Sequence, residues 1–110
     1  MRKALCGAVA LTVLTFGLAF ASPVAVAAAP VLRPAKLGLC AACHGEDGRS
    51  RAVGTPSLAG QDEAYLRNAL AAYRSGARRV EPMNAVANTL QPRDIAALAR
   101  WYATRRAAAK

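Results

Sequence analysis

The sequence predicts an all-α fold of three main helices joined by loops. Two stretches repeat apolar residues at helical spacing: Leu66, Ala69, Leu70 and Tyr73 in one, and Ile95, Leu98, Ala99 and Tyr102 in the other. No stretch reads as a strand. Gly45, Gly48, Gly54 and Pro56 break up the chain before the first of these stretches, and Gly76 closes it.

The elements follow in chain order. Met1-Arg2-Lys3 opens the chain, and no charge occurs from Ala4 to Ala21. Small residues then dominate from Ser22 to Pro30. This succession describes a secretory signal peptide over 1–27, with Ala25-Val26-Ala27 as the cleavage pattern. Cleavage after Ala28 fits nearly as well. The alternative is an uncleaved anchor, because the apolar run of about 18 residues reaches the lower limit for crossing a bilayer. Cys6 lies inside this segment and lacks the small residues that precede a lipid-attachment cysteine, so it leaves with the signal. Residues 28–34 form a short tail.

Pro34 suits the first turn of a helix over 35–43. Residues 45–60 read as loop. The next helix covers 61–75, with Asp62 and Glu63 in its first turn, where negative charge suits the helix dipole. Gly76 ends it. A loop over 77–82 leads to a single turn at 83–88. The last helix covers 92–106, with Pro92 at its first position and Asp94 in its first turn. Gln91 is a weak cap, and Thr89 can share its role. Residues 107–110 are a C-terminal tail, which leaves a domain over 35–106.

A cut after Ala27 leaves 83 residues, with 13 Lys and Arg against six Asp and Glu, a net charge of +7. A domain this small has a marginal core and generally needs a disulfide, metal, cofactor or partner as a staple. Cys40-Ala41-Ala42-Cys43-His44 supplies one. The C-x-x-C-H pattern marks covalent haem attachment. On a helical turn, Cys40 and Cys43 lie on one side and can each form a thioether to a haem vinyl group. His44 then directs its imidazole at the iron. A zinc site needs a fourth ligand, and no further Cys or His follows residue 27, so an Asp or Glu would have to serve. A thioredoxin-like pair wants a βαβ context. A plain disulfide is strained at this spacing on a helix and leaves His44 a coincidence.

Haem iron in electron carriers is often held by His and Met. Met83 is the only methionine after the signal segment, and its loop can lie across the second face of the haem. Its alternative role is a flexible core filler. Pro56, twelve residues beyond His44, offers a carbonyl to the other ring N–H of that histidine, as metal-binding histidines generally require. It reads equally as a simple turn proline.

These residues resemble the bacterial class I c-type cytochromes over essentially the whole chain after the signal segment. The shared elements are Cys40-Ala41-Ala42-Cys43-His44-Gly45, Asp47-Gly48, Pro56-Ser57-Leu58-Ala59-Gly60-Gln61, Tyr65-Leu66, Gly76, Met83, Leu90, Asp94-Ile95, Leu98 and Trp101-Tyr102. The nearest type is the small periplasmic mono-haem protein, similar to one domain of the di-haem cytochromes. The resemblance implies the cytochrome c fold, with helices and loops wrapped around one covalent haem c. It implies Met83 as the sixth ligand and the Pro56 carbonyl as partner of His44. It also implies that the first and last helices cross near Gly38, Leu98 and Trp101, with Trp101 or Tyr102 able to reach a haem propionate. Lys36 stands where many members carry an aromatic residue, and the first helix is short.

The function expected is periplasmic transfer of single electrons, not catalysis, because His/Met ligation closes both axial sites. Leu37, Leu39, Val53, Leu58, Leu66, Leu70, Leu90, Ile95 and Leu98 are candidates for the haem wall. The alternatives are a gas-binding or sensor domain with an open sixth site, or the cytochrome subunit of a larger redox enzyme. The partners expected are membrane cytochrome complexes, oxidases or periplasmic dehydrogenases. An acidic face on them would meet Arg49, Arg51, Arg78 and Arg79. No nucleic acid is expected, a membrane only if the signal stays uncleaved, and the molecule should be a monomer.

Overall fold

The structure, a computed structural model, describes residue 22 and residues 24–106. Most of the signal segment and the 107–110 tail lie outside the described residues. The described residues form four helices: α1 (Leu37–His44), α2 (Glu63–Ser75), α3 (Met83–Asn88) and α4 (Pro92–Ala103). Among the described residues there is no strand, and no helix is long and apolar enough to cross a membrane.

Local hydrogen bonding sets each boundary. α1 starts two residues later than expected and includes His44, because Leu37 N–H bonds back to the Pro34 carbonyl in a turn that precedes the helix. α2 also starts two residues late. Asp62 is its cap, accepting the Tyr65 N–H at 2.7 Å, and so stands outside the helix. Gly76 ends α2 in the left-handed conformation, φ 79°, with its N–H on the Tyr73 carbonyl. At α4, the Asp94 carboxylate accepts the Gln91 N–H at 2.8 Å. Thr89 takes no part, since its hydroxyl donates to the Val86 carbonyl of α3 at 2.7 Å. α4 stops at Ala103, short of the expected Arg106. There Thr104 Oγ1 and Arg105 Nε donate to the Trp101 carbonyl at 2.9 and 3.2 Å, and Thr104 Oγ1 also reaches that of Arg100 at 3.1 Å.

The core joins Leu37 and Cys40 of α1, Leu66 of α2, and Ile95, Leu98, Ala99, Trp101 and Tyr102 of α4. Leu90 completes it from the short connection before α4. α2 packs against both α3 and α4. Of the expected wall residues, Leu58 and Leu70 pack against this core from partly buried positions. Leu39 and Val53 do not join it. Leu39 faces away from the side of α1 that carries Leu37 and Cys40, and Val53 is fully exposed in the 52–55 turn. Gly38 is exposed, and a Cβ there would meet nothing within 4 Å. The approach of α1 to the core therefore does not require that glycine.

The segment before α1 is anchored. Val31 packs against the core and Pro34 is buried. The Arg33 guanidinium forks onto Glu46 at 3.0 and 3.1 Å, which holds the Glu46 carboxyl below the usual carboxylate range. This pair is solvent-exposed, so its worth is orientation more than stability.

Candidate haem site

The site is built on the last turn of α1. Cys40, Cys43 and His44 lie within the last five residues of α1, and both cysteines are free thiols. Cys40 is buried and Cys43 exposed. Burial pushes the Cys40 thiol up to about 11.

His44 is buried, and its Nδ1 lies 2.8 Å from the Pro56 carbonyl oxygen. A carbonyl can only accept, so Nδ1 carries the proton and donates. The Nε2 lone pair is thereby left for a metal. The loop over 45–60 brings Pro56 into place by its own cross-ties. The Gly48 carbonyl accepts the N–H groups of Leu58 and Ala59 at 2.7 and 3.0 Å. Ser50 accepts nothing from Ser57 but donates its N–H to the Ser57 hydroxyl at 3.1 Å, and Ser50 Oγ lies 3.2 Å from the Cys43 carbonyl.

α4 clamps the residues that follow the histidine. Tyr102 OH donates to the Gly45 carbonyl at 3.0 Å, and Trp101 Nε1 donates to the Glu46 carbonyl at 2.9 Å. Tyr102 also accepts the Gly60 N–H on its carbonyl at 3.0 Å. Burial first, then Cys40, Glu46 and Asp47, push the Tyr102 phenol above its ordinary value, so it stays a donor. The indole has a single N–H and the phenol a single O–H, and both are spent on these carbonyls. The propionate contact expected of either residue is replaced by this clamp. Arg105 lies over the Trp101 ring at 3.8 Å and shields it from solvent.

Met83 opens α3, half-buried, at the end of the segment that leaves α2. Its neighbour Asn84 donates Nδ2 to the carbonyls of Tyr73 and Arg78 and accepts the Val80 N–H on Oδ1, each at 2.7 Å. Sequence reasoning assigned no role to Asn84 or Ser50, and it gave Trp101 and Tyr102 a different hydrogen-bond partner from the Glu46 and Gly45 carbonyls they use.

The donor set fits haem c. It has two free thiols three residues apart, an imidazole with Nε2 available, a thioether from a separate element, and an apolar core adjoining them.

The cytochrome c family model matches residues 37–104. The chain belongs to the cytochrome c family. It is 40% identical over 72 residues to cytochrome c-554(548) of Halomonas halodenitrificans, covering 63% of this chain and 87% of that protein. It is 39% identical over 94 residues to a protein of Thiomonas intermedia named thiosulfate dehydrogenase electron acceptor, covering 84% of this chain and 42% of that protein. The crystal structure of reduced cytochrome c4 from Pseudomonas stutzeri matches with a TM-score of 0.57 at 32% identity. That match covers 61% of this chain and 38% of the solved one. The chain thus spans less than half the length of these last two relatives and most of the first. The family match, with Cys40-Ala41-Ala42-Cys43-His44 inside it, gives this cytochrome one covalent haem c and an electron-transfer role.

Proposed function

We propose that this cytochrome is a free periplasmic carrier of single electrons. In this reading Cys40 and Cys43 hold the haem by thioethers, and His44 Nε2 and Met83 Sδ are the axial ligands. The observation that carries it is the 2.8 Å contact from His44 Nδ1 to the Pro56 carbonyl, which leaves Nε2 for iron. When bound, the haem iron supplies a one-electron couple between ferric and ferrous states. The protein's own part is rigidity. Pro56 fixes the imidazole ring, Trp101 and Tyr102 fix the backbone behind it, and the core around Leu37, Leu66 and Leu98 excludes water. With both axial positions filled, no site remains for a substrate, which is why an enzyme role is set aside.

The chain reaches the periplasm through the signal peptide over 1–27, and the mature domain covers 35–106, between the short tails at 28–34 and 107–110. Its partners are acidic redox proteins. A relative named as the electron acceptor of a dehydrogenase supports a periplasmic dehydrogenase as donor. Charge favours one corner for docking. Asp47 faces Arg51 at 4.0 Å and accepts the Arg49 N–H, so those two arginines stand beside a local carboxylate. Arg74, Arg78 and Arg79 form no ion pair among the described residues and adjoin the Met83 segment, where Glu81 is one carboxylate against three guanidiniums. Replacing Arg78 and Arg79 by glutamate is expected to slow oxidation by the anionic probe hexacyanoferrate(III) by about tenfold at low salt, and much less when salt screens the corner. An equal loss from Arg49 and Arg51 would remove the preference.

Expression with haem-attachment machinery in a periplasm tests the whole reading. The expected product has the mass of the chain from Ala28 or Ala29 plus one haem. It has a low-spin spectrum with the weak far-red band of sulfur on ferric haem. A high-spin spectrum would remove Met83 as ligand and promote the sensor alternative. No covalent haem, in a host that matures other c-type cytochromes, would defeat the assignment.

A further inference from the structure

We infer that Asn84 is the positioning residue that keeps Met83 on the haem iron; this rests on the reading of Met83 as the sixth ligand. An asparagine side chain offers two N–H hydrogens and one carbonyl oxygen. Asn84 uses all three. Nδ2 donates to the carbonyls of Tyr73 and Arg78, and Oδ1 accepts the Val80 N–H, each at 2.7 Å. These partners belong to the last turn of α2 and to the loop that leads to Met83. The backbone doubles the tie, because Asn84 N–H donates to the Val80 carbonyl at 3.3 Å. Residues 80–84 are therefore a closed loop with Met83 inside it, fastened to α2 by one side chain.

That fastening bears on ligation. A neutral thioether is a weak ligand, and it competes through the high effective concentration that a tethered group has beside its site. α3 is six residues long, and its cap residue Pro82 makes no side-chain hydrogen bond. Asn84 supplies the side-chain anchorage that Pro82 does not. Aspartate would fill the same space, yet as a carboxylate it would turn an acceptor toward the Tyr73 and Arg78 carbonyls in place of two donors.

The test compares ferric holoprotein carrying Asn84→Ala, Asn84→Asp, Met83→Ala or Asn88→Ala with the wild type. Asn88 is an exposed asparagine on the same short helix, outside this network. Imidazole is titrated as the competing ligand while the far-red sulfur band is followed, and the reduction potential and melting temperature are measured alongside. Asn84→Ala and Asn84→Asp are expected to weaken the band, lower the potential and bind imidazole about tenfold more tightly, with Asn88→Ala unchanged. Asn84 variants that melt earlier but keep the wild-type potential and imidazole affinity would reduce Asn84 to a structural role and overturn the inference. If Met83→Ala itself binds imidazole no more tightly than the wild type, Met83 is not the ligand. The inference then falls together with that reading.

Discussion

A chain with Cys40 and Cys43 both changed to serine is expected to lose its haem and its fold together. The folded domain is small and its core short: the side chains with no more than about 1% exposure include Leu37, Leu90 and Leu98, drawn from three different segments. Domains of this size bury too little apolar surface to offset chain entropy without a staple. A cofactor that binds only the folded state adds its binding free energy to stability, and a covalent one cannot dissociate. Net positive charge adds self-repulsion that the short core must also overcome. Far-ultraviolet circular dichroism of the double-serine chain should show most of the helix signal gone and no cooperative melt. A sharp thermal transition with near-native helix content would mean that the polypeptide core suffices alone.

Gly48→Ala is expected to be the most damaging single change outside the iron ligands. Gly48 has φ +76°, a region that L side chains rarely adopt. An alanine Cβ would stand 2.7 Å from Ala59 N, 3.0 Å from Ala59 Cα and 2.9 Å from the Tyr102 ring. Two of these neighbours are backbone, and the ring is held by its hydrogen bond to Gly45, so none yields cheaply. Backbone strain and overpacking together cost about 3–5 kcal/mol. In a domain of this size that lowers the melting temperature by about 15 °C or more. Gly38→Ala is the matched control: with open space around it in a helix, it is expected to be neutral or to stabilise by about 0.5–1 kcal/mol. Thermal melts of the two holoproteins check both signs. Equal melting temperatures would refute the close contact at Gly48.

The helices were legible because their signal is local. Leu66 and Leu70 in α2, or Ile95, Leu98 and Tyr102 in α4, state their own periodicity. Helix ends were less legible, because caps such as Asp62 and Thr104 act through single hydrogen bonds that move a boundary by residues. The attachment sequence was legible for the same local reason. Its supports were less so. The Pro56 carbonyl was read as the partner of His44 and lies 2.8 Å from it, but Gly45, Glu46 and Tyr73 act through backbone carbonyls, which every residue has, so nothing in their side chains marks them. Asn84 illustrates the other half of the difficulty, since an asparagine beside a loop reads as an ordinary turn residue until its three partners are seen.

The clamp from α4 has a consequence for how the protein comes into being. Trp101 and Tyr102 reach back across 55 and 57 positions to Glu46 and Gly45, next to the histidine. An unfolded chain keeps α1 and α4 apart, and the cysteines and His44 then sit in a segment whose rear wall has not yet been made. Haem is joined most readily before α4 docks behind the histidine, and that docking closes the site. The far end of the molecule acts as the seal on the near one.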